Sequence, residues 1–111
     1  MKQSITTTQE TITPEQADQI LQEHYRRVAD GEYRQRKIYK SILRKYMIDI
    51  RAKHWKLSAT PIVFDCDGNL ANGQHRLEAV RQTGIACEFM VSRGWPPEVI
   101  DTEDRGKSRT V

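Results

Sequence analysis

Long apolar runs are missing from this chain. None approaches the roughly 18 consecutive apolar residues that a membrane-spanning helix requires, so no membrane partner is expected. The opening stretch, MKQSITTTQE, has no apolar h-region and does not read as a secretory signal. Cysteine is scarce, with 2 in 111 residues. Cys66 and Cys87 fall in two predicted strands and read as small core residues, not as a disulfide framework. A reducing cytoplasm is the expected compartment. His24, His54 and His75 are scattered and lie apart from both cysteines, so zinc spacing is absent and no metal ligands are assigned. Charge of one sign is not in great excess either. A net charge of +3 permits an anionic partner without demanding one. No internal repeat and no linker is visible.

What is present describes a small α+β domain. Residues 1–12 are rich in Thr and Gln without helical period and read as an extended or frayed lead-in; residues 13–111 read as one domain. Thr13 and Gln16 fit a capping box with Pro14 at the first helical position. Ala17, Ile20, Leu21, Tyr25 and Val28 make one apolar face, and Gly31 ends the helix. The segment RQRKIYKSILRKYMIDIRAKHWKL reads as a second helix. Tyr39, Ile42, Leu43, Tyr46, Met47 and Ile50 face one way, and a basic face carries residues such as Lys37, Lys40, Arg44 and Arg51. That face reads as solvated or as anion-binding. No aromatic interleaves its charges, so base stacking there is not suggested.

The period then changes. Ile62 to Phe64, followed by DCDGN at Asp65 to Asn69, reads as a β-hairpin. A calcium loop is excluded by the glycine spacing and the missing closing glutamate. Asn72 and Gly73 form a second tight turn, and a third helix runs from Gln74 to a stop at Gly84. IACEFMVS is a strand, broken by Gly94, Pro96 and Pro97, with a helical turn at Glu98 to Ile100. The expected order is two helices, a β-hairpin, a helix and a strand. Trp55 reads as a core anchor. Trp95 reads as either a lid on the core or an exposed contact.

The functional question concentrates on Asn72-Gly73-Gln74-His75-Arg76, where a strand hands over to a helix. The first amides of a helix lack internal partners, and the helix dipole favours negative charge there. Glycine allows close approach, Arg76 supplies a planar cationic donor, and His75 can donate to an oxygen. Gln74 offers an amide that can orient a water, a ribose or a phosphate oxygen. Together they read as a phosphate cradle. The competing reading is structural: Arg76 paired with Glu78 or Asp101, and His75 satisfied within the core. RGKSRT, at Arg105 to Thr110, lacks the leading glycine of a P-loop. Arg105, Lys107, Ser108 and Arg109 read either as the completion of a phosphate pocket or as a basic tail.

NGQHRLEAVRQTG, preceded by PIVFDCDGNL, resembles the ParB/sulfiredoxin-like superfamily, and most of all small phage and plasmid proteins labelled ParB-like nuclease domains. Trp55-Lys56-Leu57 and the ending DTEDRGKSRT are similar to segments of those proteins, so the resemblance spans residues 13–110. It implies a turn that binds nucleotide phosphates. Gly73 would shape the turn, Gln74 would occupy a variable functional position, and His75 and Arg76 would contact phosphate, with the 105–109 segment returning nearby. CTP, ATP or ADP with Mg2+ are the cofactors it implies, and a host cell cytoplasm if the chain is phage-encoded. Partition ParB proteins carry Gly-Glu-Arg-Arg here; Gln74 replaces the acid and His75 the first arginine, against nucleotide hydrolysis. Sulfiredoxins carry Gly-Cys-His-Arg, and Gln74 replaces their nucleophile. ADP-dependent serine kinases of the superfamily carry Asp-Gly-His-His-Arg; Asn72 loses the acid, and no upstream glutamate is identified as catalytic.

Three functions stay open: a nucleotide-binding module in which NTPase or phosphotransferase activity is unassigned, a non-enzymatic protein such as a phage-encoded inhibitor of a host defence or nucleic-acid machine, and a DNA-binding protein or nuclease. The last lacks a helix-turn-helix and a carboxylate cluster for metal.

Overall fold

Thr13 sets the first helix. Its Oγ1 accepts from Gln16 N at 3.1 Å, and Gln16 Oε1 accepts from Thr13 N at 2.9 Å, so the capping box is formed in both directions. In this computed structural model, which describes residues 5–31, 37–57 and 60–97, helix α1 spans Pro14–Ala29 and ends at Asp30, with Gly31 in the left-handed region at φ +77°. Helix α2 spans Lys40–Arg51, shorter than the 34–57 segment whose periodicity suggested it. It stops because the chain reverses hand at Lys53, φ +62°, while His54 N donates back to Asp49 O at 2.9 Å.

Strand β2, Ile62–Asp65, and strand β3, Leu70–Asn72, form the expected hairpin. Asp65 closes its turn by accepting from the backbone N–H of Asp67 and of Asn69, each at 2.9 Å. Cys66 sits in that turn and is exposed, not a core residue as expected; the strand ends one position earlier. Helix α3, Gln74–Thr83, stops at Gly84 as anticipated, and strand β4 spans Cys87–Trp95. β4 continues through Gly94, which adopts φ +90°, to Trp95. The helical turn expected at 98–100 lies outside the described residues.

One strand precedes the expected order. Thr6–Ile12 is strand β1, paired antiparallel with β4 from Thr6 opposite Arg93 to Ile12 opposite Cys87. It carries no apolar alternation because it is an edge strand, exposed along most of its length, with Ile12 buried at its end. Polar cross-strand pairs hold it: Arg93 to Glu10 at 2.5 Å and Thr7 to Ser92 at 3.0 Å.

The fold is α+β: among the described residues, three helices lie on a four-stranded mixed sheet ordered β1-β4-β2-β3, with β2 and β4 parallel. Cys87, Phe89 and Val91 of β4 alternate into a core shared with Ile62, Leu21, Ile50, Leu77 and Val80. Each fully buried large aliphatic or aromatic side chain there contributes about 1.5–3 kcal/mol. Helix α3 packs against both α1 and α2. That placement buries Gln74, Arg76 and Glu78 along with Leu77, Ala79 and Val80. Burying polar groups opposes folding unless each finds a partner, so their partners decide what this helix is for.

Candidate functional site

The strand-to-helix turn is shaped by Gly73. It is buried at φ +116°, and a Cβ there would stand 2.5 Å from Cδ1 of Ile62, which is 0% exposed. Only glycine brings β3 into α3 at this distance from β2. Helix α3 therefore begins without a side-chain cap and has no acidic residue in its first turn. Helices ordinarily place an N-cap oxygen or a carboxylate there to satisfy the first amides and the dipole. Here the first turn carries a cation instead.

That cation, Arg76, is 7% exposed. Its Nη1 donates to Thr60 O at 2.5 Å and its Nη2 to Pro61 O at 3.0 Å. Both acceptors are neutral carbonyls. Among the described residues no carboxylate pairs with the guanidinium, and Glu78 turns elsewhere. Burial pushes the Arg76 pKa below its ordinary value, with Tyr46 working the other way. The positive charge is thus desolvated and not neutralised.

These groups open onto a cleft of about 810 Å³ lined by α3's first residues, Lys37 and Tyr39 ahead of α2, Tyr46 and Asp49 of α2, and His54, Trp55, Lys56 and Thr60 after it. Asn72, Gly73, Gln74, His75 and Arg76, the five turn residues singled out in the sequence, all line it. Arg105, Lys107, Ser108 and Arg109 lie outside the described residues. Lys37 and Lys56 add positive charge to the wall, and Asp49 is the one carboxylate among the described lining residues.

His75 is oriented by the backbone. Tyr39 N donates to His75 Nε2 at 2.9 Å, so the ring proton resides on Nδ1. The two rings stack with centroids 6.2 Å apart and planes 14° apart, and Lys37 Nζ lies 5.4 Å from the Tyr39 centroid. Burial lowers the His75 pKa, opposed by the Glu78 charge. The second wall is Trp55, edge-on to both Tyr46 and Phe89 at 5.5 Å. It is half-buried, tied to the core as anticipated, and it also faces the cleft.

Gln74 is the most unusual member. It is 5% exposed, its Nε2 donates to Tyr25 Oη at 3.0 Å, and its Oε1 is buried without a partner among the described residues. Tyr25 in turn donates to Glu78 Oε2 at 2.5 Å. Glu78 also accepts from Arg81 Nη2, at 2.8 and 2.9 Å, and from Gln82 Nε2 at 2.9 Å. Burial acts to raise the Glu78 pKa, but the hydrogen bonds from Tyr25, Gln82 and Arg81 outweigh it and hold the carboxyl below its ordinary value. Burial, reinforced by Glu78, raises the Tyr25 pKa.

Sequence reasoning located the turn but missed the aromatic walls and the Tyr25–Glu78 support. Tyr25 and Tyr39 were legible as apolar-face residues, and no local signal tells a core tyrosine from one whose hydroxyl reaches a site 49 positions away. Trp95 takes no part: its Nε1 donates to Ser92 Oγ at 2.7 Å, and it does not line the cleft. Comparison of the chain with family models, curated proteins and solved structures returns no match.

Proposed function

We propose that this cleft binds a nucleotide through its phosphates, in a module of the ParB/sulfiredoxin-like kind. The observation that carries the reading is the pairing of an uncapped helix end with a buried guanidinium that no described carboxylate neutralises, both on one cleft. An anion seated there satisfies the first amides of α3 and offsets the Arg76 charge at once. Lys37 and Lys56 extend the positive wall to a second and third phosphate. His75 donates from Nδ1. Tyr39, Tyr46 and Trp55 supply aromatic surface of the kind a base packs against.

CTP, ATP and ADP, carried with Mg2+, are the ligands of choice. Binding and not turnover is proposed. Among the described residues Asp49 alone offers a carboxylate to the cleft, and no group of three His, Cys, Asp or Glu side chains that could hold a metal occurs.

The test is a thermal-shift titration with CTP, ATP and ADP, each with and without Mg2+, on the native chain and on a Lys37→Ala/Lys56→Ala variant. A ligand at a hundred times its Kd adds about 2.7 kcal/mol to stability, which a chain of this size reports as several degrees of Tm. A shift with the native chain that shrinks in the double variant supports the reading. No shift with any of the three nucleotides removes it.

A further inference from the structure

The buried amide of Gln74 is held in one orientation. Tyr25 Oη spends its only proton on Glu78, a carboxylate kept ionised by Arg81 and Gln82, and so faces Gln74 with lone pairs. It can only accept from the amide. Nε2 must therefore be the atom bonded to Tyr25, and Oε1 must be the atom left over. Tyr25 and Glu78 do not line the cleft, whereas Gln74 does, and the bonded end of its amide reaches back to Tyr25 of α1. An acceptor buried to this degree without a donor destabilises the free protein, and a donor delivered by a ligand relieves it.

We infer that Gln74 Oε1 is a fixed acceptor that selects phosphorylated ligands bearing a hydrogen-bond donor beside the phosphate, a sugar hydroxyl or a base amino group. This rests on the phosphate-binding reading and narrows it to the ligand's second feature. Gln74 would touch the ligand directly. Tyr25 and Glu78 are positioning residues that act by denying the amide its other orientation. A glutamine free to turn would present either a donor or an acceptor and would select neither.

The experiment is calorimetric titration of the full chain with ATP, 2′-deoxy-ATP, 3′-deoxy-ATP, CTP, UTP and inorganic triphosphate. A lost hydrogen bond to a buried acceptor weakens binding by about tenfold. The expected result is a loss of that size on removing one sugar hydroxyl, or on passing from CTP to UTP, which identifies the donor as hydroxyl or amino. The ratio should collapse toward one in Gln74→Leu, which removes the acceptor, and fall in Tyr25→Phe, which frees the amide to turn. Because each ratio is taken within one variant, a general loss of stability does not imitate it. Equal affinities across the native series overturn the inference while leaving phosphate binding intact, as does a ratio that survives both substitutions. Failure of triphosphate and of every nucleotide to bind overturns the phosphate reading, and this inference with it.

Discussion

Ile62 occupies the space into which a side chain at Gly73 would grow: Cδ1 lies 2.5 Å and Cγ2 3.2 Å from the position of a Cβ. Ile62 is fully buried between sheet and helix, so it has little room to yield. The contact fixes how closely the first turn of α3 approaches β2, and with it the position of the three amides that open the helix.

Gly73→Ala is therefore expected to lower stability by about 1–3 kcal/mol, from left-handed strain and overpacking together. Chemical denaturation measures this. A neutral substitution would mean that the turn relaxes freely and does not set the geometry of the cleft.

His75 supplies a pH dependence. Burial lowers its folded-state pKa beneath the ordinary 6.5, so the unfolded chain takes up a proton first as the pH drops. Stability is full above 6.5 and declines as the pH falls from there toward the folded value, where the loss levels off. Protonation also places a hydrogen on Nε2, which then can no longer accept from Tyr39 N. An NMR titration should show the His75 ring titrating below 6.5 and the Tyr39 amide moving with the same midpoint. A His75 midpoint at or above 6.5, or a Tyr39 amide indifferent to it, contradicts this arrangement.

Glu78 acts in the acid range. Its folded pKa lies below the ordinary 4.5 through the hydrogen bonds from Tyr25, Gln82 and Arg81, so its contribution is present above 4.5 and is lost as the pH falls through the folded value. Glu78→Ala leaves the Tyr25 hydroxyl and the Gln82 amide without their carboxylate acceptor and Arg81 with Asp18 alone, and should cost about 2 kcal/mol at neutral pH. The deficit relative to the native chain should narrow in acid. A deficit independent of pH would assign Glu78 a packing role only.

Much of the architecture is legible in the chain because local chemistry and tertiary packing agree there. The capping box at Thr13, the glycine stops at Gly31 and Gly84, and the Asp65–Asn69 turn each appear where their residues place them. Residues 1–12 read only as an extended or frayed lead-in, and the pairing of β1 into the sheet is not legible because an edge strand held by Arg93–Glu10 and Thr7–Ser92 needs no apolar alternation. Cys66 was misplaced because a short apolar run does not mark its own last residue. The turn from Asn72 to Arg76 was legible as a unit. Its depth was not. Arg76 satisfies carbonyls of residues 60 and 61, and Gln74 is anchored through α1. Such long-range partners leave no periodic trace in a sequence.

The most direct measurement is a two-dimensional amide NMR titration of the chain with ATP and with CTP. Binding at the mouth of α3 requires the backbone amides of Gln74, His75 and Arg76 to show the largest shift changes, saturating together, with the Tyr39 amide following. Changes confined to the exposed face of α2, or absent from those three amides at saturating nucleotide, would show that the end of this helix is not where the anion sits.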